Sequence, residues 1–411
     1  MSTGTNTPIP TDEPPRPAKK PVMPYLVSDR RPMFEYSVVR SLFLQSLPEY
    51  LVDQREFNKN YFSKNFGLML YTADDKPDWK ALVDTVNDLN DRAPPDERYK
   101  VFYLARHGQG PHNEAIELYT QAAWEAHIGM LKEYKGLTLG PDPDLTEKGK
   151  AEAQSIGHIW KTQLQHHSLH SAGALPQKFY ASPFTRALRT LELTWSDIVL
   201  DLPNPPRVQI RENLRETIGH HWCDMRGKMS DIKQRFPFVD VEEGMDDDDT
   251  IWTDVREDEV GGSMDCRLRE VIDDIFAGDG ETFISITAHS GCLRCVLRVV
   301  GHRIFSLETS RMIPVVVKAK LLPEFKDKIK LPERVTGLPY EFVPKNWESL
   351  KRKEFDFGFD TNGTVTPATP ATPAALNLNL AAAAAAAAVN GASAAKKVHL
   401  DREEDEEMTH H

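Results

Sequence analysis

Short apolar runs alternate with segments of helical period through the middle of the chain. Val101 to Ala105, Phe179 to Ala181, Val208 to Ile210, Phe283 to Thr287 and Pro314 to Lys318 are apolar or β-branched stretches of strand length. Ahead of the first of them, Trp79, Leu82, Val83, Val86 and Leu89 recur on one helical face. Thr146 stands as an N-cap before a helix carrying Ala151, Ile156, Ile159 and Trp160. Ser182 and Pro183 predict a second N-cap, with proline at the first helical position. Strand and helix in alternation predict an α/β three-layer sandwich with a mainly parallel central sheet. Ligands bind such sheets where strand ends lead into helices. The residues just past each strand are therefore the place to look for chemistry.

The pattern stops at both ends. Residues 1–25 are rich in proline, threonine and charge, and predict a disordered tail that cannot bury a core. Residues 356–411 hold a T-P-A repeat, an alanine tract and the acidic stretch Asp401 to Glu407, and read as a second low-complexity tail. One domain is expected over 26–355, with an N-terminal extension and an acidic insertion near 224–262. Within that insertion, Glu242 to Asp249 and Glu257 to Glu259 read as a solvated, mobile loop.

Composition narrows the classes. Hydrophobic residues make up 40% and charged residues 27%, normal for a soluble protein with polar tails. The formal net charge of −12 leaves no basic stripe for a nucleic-acid backbone, so no nucleic-acid partner is expected. One small phosphorylated substrate needs only a few local arginines and stays open. Four cysteines do not make a disulfide framework, and Cys292 and Cys295 read as buried helix residues rather than a redox or metal pair. There is no signal-peptide pattern, and no apolar run reaches the roughly 18 residues of a membrane span. The nearest, Leu376 to Val389, is short and mostly alanine. A cytoplasmic protein without a membrane partner is the expectation; no protein partner is legible.

The strand ends carry the chemistry. After the first strand come Arg106, His107, Gly108, Gln109, Gly110, Pro111, His112 and Asn113. Small turn residues leading into a helix let the backbone approach an oxyanion, and an imidazole there can attack phosphorus. After the second, Arg186 falls in the first turn of a helix, where its fork suits a phosphoryl group. Glu216 follows the third as a candidate general acid. After the fourth come His289, Ser290 and Gly291. Singly, each reading competes with a helix-surface arginine, a surface carboxylate or a core histidine. Together, in chain order, they are the set that phosphoryl transfer through histidine needs.

These residues give the chain a close resemblance to the histidine phosphatase superfamily, in the phosphoglycerate mutase-like branch. The matching stretches are L-A-R-H-G-Q-G-P-H-N, D-L-T-E-K-G-K-A-E-A at 144 to 153, Y-A-S-P-F-T-R-A-L-R-T at 180 to 190, L-R-E at 214 to 216, and T-A-H-S-G at 287 to 291. The R-H-G-Q-G-P-H-N form and the H-H-W-C-D-M-R-G run after Glu216 look most like a fungal phosphomutase-like subgroup. The resemblance implies a phosphoglycerate mutase-like fold and a phosphohistidine formed on His107. It implies that Arg106, Arg186 and His289 hold the phosphoryl oxygens, and that Glu216 protonates the leaving group and then assists water. Asn113 is expected to orient the phosphate, and Gln109, Gly110, His221 and Ser290 to face the substrate. No metal and no cofactor is expected.

Mutases of this family usually carry serine at the place of Gly110, tryptophan at that of His112, and glycine-asparagine at that of Ser290-Gly291. The departures imply a phosphatase, with a mutase or a non-catalytic phospholigand-binding protein as the alternatives. His220, His221, Cys223 and Asp224 have metal-ligand types at close spacing, but no second ligand pair has the spacing of a zinc site, and the resemblance implies a loop that lines the pocket. His158, His166, His167 and His170 receive no role. The pattern names no substrate, because the legible residues grip only the phosphoryl group.

Overall fold

In the computed structural model, residues 30–48, 52–59, 61, 65–166, 173–260 and 262–342 are described. The two expected tails lie outside them, as do His167 and His170. The strands are β1 (Phe34–Val38), β2 (Glu97–Arg106), the hairpin pair β3 (Glu133–Tyr134) and β4 (Leu137–Thr138), β5 (Lys178–Ala181), β6 (Val208–Ile210), β7 (Val239–Val241), β8 (Phe283–Ala288) and β9 (Met312–Leu321). The α-helices among the described residues are α1 (Gln54–Lys59), α2 (Trp79–Asp91), α3 (Pro111–Tyr119), α4 (Gln121–Ala126), α5 (Glu147–His166), α6 (Thr185–Trp195), α7 (Met229–Arg235), α8 (Ser263–Gly278) and α9 (Ser290–Val299). Apart from the hairpin, the strands form one sheet in the order β1-β9-β2-β8-β5-β6-β7. From β2 to β7 every pairing is parallel, and β9 runs antiparallel to both β2 and β1.

Parallel strands covered on both faces are apolar at every position. Val101 to Ala105 and Phe283 to Ala288 are buried without interruption, so they read as continuous runs. Successive side chains point to opposite faces, and Phe102 and Tyr103 define the two layers. Tyr103 packs on Trp160 of α5 with ring centroids 5.2 Å apart, and Trp160 packs on Trp195 of α6 at 4.7 Å. Trp79 of α2 joins the same cluster, 6.4 Å from Trp160. On the other face Phe102 meets Phe276 of α8 at 5.7 Å, and α9 packs on α8. No helix among the described residues is long and apolar enough to cross a membrane.

Three local expectations change. Helix α6 begins at Thr185, not at Pro183, and its N-cap is Phe184. The Ser182 hydroxyl is instead 2.8 Å from His289 Nε2. Asp142, from a distant loop, takes over the capping: its carboxylate accepts from Thr185 N at 2.8 Å and from Thr185 Oγ1 at 2.7 Å. The acidic insertion is not a free loop. It contains α7 and β7, and the Arg226 guanidinium donates to the carbonyls of Asp246, Asp247 and Asp248. Asp249 is buried against Arg215, with Nη2 at 2.6 Å. Strands β1, β7 and the β3–β4 hairpin escape sequence reading because each is short and half-exposed.

Asp142 holds the start of the helix that carries Arg186. Asp142→Ala is expected to cost about 1–2 kcal/mol, the usual worth of an N-cap, read as a lower urea midpoint. Asp142→Asn keeps an acceptor and tolerates the positive φ of 45° at this position, so it should lose less.

Candidate active site

Sheet register brings the predicted residues together. Arg106 pairs with Ala288 across β2 and β8, while Ala181 pairs with Thr287 on one side and Ile210 on the other. The next residue of each strand therefore emerges at one edge. His107 N donates to Ala288 O at 3.0 Å, and Ser182 N donates to Thr287 O at 3.0 Å. The rings of His107 and His289 are buried, with centroids 5.0 Å apart.

Hydrogen bonding fixes the reactive nitrogen of His107. Its Nδ1 lies 2.7 Å from Gly108 O, a group that can only accept, so Nδ1 carries the proton and Nε2 keeps its lone pair. Burial pushes the His107 pKa well below the usual imidazole value, and the cations of Arg186 and Arg106 push the same way. His289 is held neutral by burial and then by Arg186. Neutral imidazole is the form a nucleophile requires.

Around these rings stand buried polar atoms without hydrogen-bond partners: Arg106 Nε, Arg186 Nε, His112 Nδ1 and His289 Nδ1. Buried polar groups are nearly always satisfied. Four orphans beside one nucleophile, most of them able to donate, match the oxygens of a tetrahedral oxyanion. The arginines are otherwise anchored. Arg186 Nη1 donates to Cys223 O at 2.6 Å and Nη2 to Asp224 Oδ1 at 3.1 Å; Arg106 Nη1 donates to Leu307 O at 2.8 Å. Their remaining donors are thus aimed, not free to swing.

Glu216 sits against the first turn of α9, where Oε2 accepts from Gly291 N at 3.1 Å and Oε1 from Cys292 N at 3.2 Å. A Cβ at position 291 would stand 2.3 Å from Glu216 Oε1, so glycine there makes room for the carboxylate. Glu216 is close enough to Arg106 to oppose the lowering of the arginine's pKa by burial. Asn113 Oδ1 accepts from Gly110 N at 3.0 Å, which ties down the start of α3. A Cβ on Gly110 would press on the His112 ring at 3.1 Å. Ser290 Oγ accepts from Arg294 Nη1 at 3.0 Å.

The Gln109 side chain, expected to face the substrate, is hydrogen-bonded within the fold. The Gln109 amide bridges helices, donating to Glu117 Oε2 at 2.9 Å and accepting from Thr146 Oγ1 at 2.7 Å. His221 is buried, its Nδ1 3.1 Å from Arg256 Nη1 and its ring 5.3 Å from that of Trp124, while its Nε2 has no hydrogen-bond partner. In the other direction, His112 belongs to the site although the strand-end rule gives it no role. Its ring centroid is 5.4 Å from that of His107. The signal was its place in the first turn after Gly110-Pro111, from which a helical side chain leans back over the N-terminus.

Residues 102–306 match the model of the histidine phosphatase superfamily, branch 1. A probable phosphoglycerate mutase of Arthroderma benhamiae is 35% identical over 297 residues, 70% of this chain and 85% of the relative. The probable phosphoglycerate mutase PMU1 of Saccharomyces cerevisiae is 32% identical, over 58% of this chain and 84% of its own length. Phosphomutase-like protein 3 of Candida albicans is 30% identical, over 69% and 80%.

The chain belongs to the histidine phosphatase superfamily. Its similarity to these three proteins places it with the fungal phosphomutase-like members. The site is backed by a scaffold in the acidic insertion. Asp224, which grips Arg186, also receives Arg256 Nη1 at 3.4 Å, and its carbonyl accepts from Arg215 Nη2 at 2.9 Å. The metal-ligand types of this loop thus serve an arginine: Cys223 through its carbonyl, Asp224 through its carboxylate.

Keeping histidines neutral inside the fold has a pH consequence. Burial lowers His107, His112 and His289 well below their ordinary value, and His221 and His302 to about 4. Unfolded imidazoles bind protons near pH 6.5, so below that pH the unfolded chain holds more protons than the folded one. Stability should be full above about pH 6.5 and fall as the pH drops toward 4. Urea midpoints measured at several pH values between 7.5 and 5 check this; a flat profile would speak against neutral buried histidines.

Proposed function

We propose that this histidine phosphatase is a metal-independent phosphomonoesterase acting on a small phosphorylated metabolite in the cytoplasm. The observation that carries the reading is the neutral His107 Nε2 surrounded by buried, unpartnered polar atoms of Arg106, Arg186, His112 and His289. In the first step Nε2 attacks phosphorus and the bond to the ester oxygen breaks. Glu216 is the general acid of this step, passing a proton to that oxygen. In the second step Glu216 takes a proton from water, the hydroxyl attacks phosphorus, and the P–N bond breaks to release phosphate and free His107. Arg106, Arg186 and His289 stabilise the charge spread over the equatorial oxygens. The positive charge of the two arginines does the work that a divalent cation does in other phosphoryl-transfer sites, and neutral His289 adds a ring nitrogen beside the oxygens.

Phosphoglycerate mutase activity is the second reading, supported by the names of the two relatives called probable phosphoglycerate mutases. Hydrolysis is favoured by the small residues near His107 and Glu216. Gly110 has no side chain with which to hold a sugar acid, and Gly291 has its space filled by Glu216. A mutase must keep water from its phosphohistidine until a bound acceptor takes the phosphoryl group. Glu216, with Gly291 packed against it, suits water as the acceptor.

The purified full chain in excess chelator should release phosphate from phosphomonoesters. His107→Ala should lower the rate on the order of 10⁴-fold or more, and Arg186→Ala on the order of 10²–10³-fold. Interconversion of 2- and 3-phosphoglycerate without phosphate release would favour the mutase. Equal rates for wild type and His107→Ala would remove the nucleophile assignment.

A further inference from the structure

Strand register sets a serine beside the second histidine of the site. Ala181 at the end of β5 pairs with Thr287 of β8, and Ser182 N donates to Thr287 O at 3.0 Å. Strand β8 ends one residue later, and His289 is the N-cap residue of α9. The two side chains meet there, with Ser182 Oγ 2.8 Å from His289 Nε2. Both residues are fully buried.

The proton of this contact can be placed. Phe184 N donates to Ser182 Oγ at 3.4 Å, which uses the oxygen as an acceptor. Among the described residues the hydroxyl has no hydrogen-bonding neighbour besides Phe184 N and His289 Nε2. A buried hydroxyl seldom leaves its proton unused, and a peptide N–H cannot accept it. The proton therefore points to Nε2, which must carry a lone pair. Burial and Arg186 keep the His289 ring uncharged, so its single proton is on Nδ1.

His289 Nδ1 is buried without a partner, as are Arg106 Nε, Arg186 Nε and His112 Nδ1. In the opposite tautomer a bare lone pair on Nδ1 would face the oxygens of a bound phosphoryl group, acceptor against acceptor. The ring is also held from the side, where Phe184 meets it edge-on with centroids 5.2 Å apart. His107 and His289 then share one tautomer and serve different ends. His107 presents the Nε2 lone pair to phosphorus, and His289 presents the Nδ1 proton to an oxygen.

Building on the phosphatase reading, we propose that Ser182 is a positioning residue. By donating to Nε2 it fixes His289 as the Nδ1–H tautomer, and so makes the ring a hydrogen-bond donor to the phosphoryl group.

Nitrogen NMR of the full chain, labelled with nitrogen-15 at histidine, reads the tautomer directly. The His289 signals are those lost in His289→Gln. Near neutral pH the wild type should show Nδ1 protonated and Nε2 unprotonated, and inorganic phosphate should perturb the Nδ1–H signal. In Ser182→Ala the proton should spread over both nitrogens, and phosphate should bind about tenfold more weakly, the loss expected for one neutral hydrogen bond. A role for Ser182 in packing alone would leave the tautomer unmoved. A wild-type spectrum with the proton on Nε2 overturns the assignment, and that result needs no variant to fold. So does a Ser182→Ala protein that keeps either the Nδ1–H tautomer or the wild-type phosphate affinity. Phosphate that fails to bind, or binds without perturbing Nδ1–H, removes the donor role. If phosphate binds as expected but no phosphomonoester is hydrolysed, the phosphatase reading falls and Ser182 keeps its role in holding phosphate.

Discussion

Two arginines buried beside uncharged imidazoles set the terms for the rest of the molecule. Burial first, and then the charges of Arg186 and Arg106, lower the proton affinity of His107 and so keep its Nε2 lone pair available. The Gly108 carbonyl decides which nitrogen that is. A buried guanidinium is tolerated only when its donors are satisfied or its charge is compensated. Here the compensation is partial by construction: the outer nitrogens are anchored, and the Nε atoms wait for an anion. The site therefore favours a phosphoryl dianion over water.

That demand explains the acidic insertion. Asp224 lies against Arg186, Asp249 against Arg215, and Glu257 against Arg267, each carboxylate at or near full burial. Arg267 in turn donates to the carbonyls of Asn213, Arg215 and Glu216, which fixes the backbone that presents the candidate acid. The insertion thus works as a scaffold of paired charges behind the reactive groups. Breaking one such pair would leave a buried charge alone, which is far more costly than losing a surface ion pair.

The sheet and its strand-end residues were legible because parallel strands bury both faces and spell out apolar runs that end in turn residues. His107, Arg186 and His289 follow from that rule and from their side-chain chemistry. Features made by contacts distant in sequence were not legible. The Ser182 hydroxyl looks like a helix cap until His289, 107 residues away, takes it, and Asp142 caps the helix from another loop. Glu242 to Asp249 looks like solvated charge until Arg226 gathers its carbonyls and Arg215 takes Asp249. Gln109 has the look of a pocket residue by its place in the motif, yet its amide is used between helices. His112 joins the site through helix geometry, not strand geometry, so the rule that found its neighbours passed over it.

The most direct measurement is to trap the enzyme in turnover. Wild type and Glu216→Gln would be mixed with a saturating aryl phosphate, whose phenolate leaves without needing a proton from Glu216, denatured at alkaline pH and weighed intact, with the modified peptide sequenced. The account predicts one added phosphoryl group on His107, stable to base and labile to acid. It predicts that this species accumulates in Glu216→Gln, where water is no longer activated, and is absent from His107→Ala. Phosphate release without any phosphoenzyme in either form would contradict it, and would mean that water attacks the ester directly.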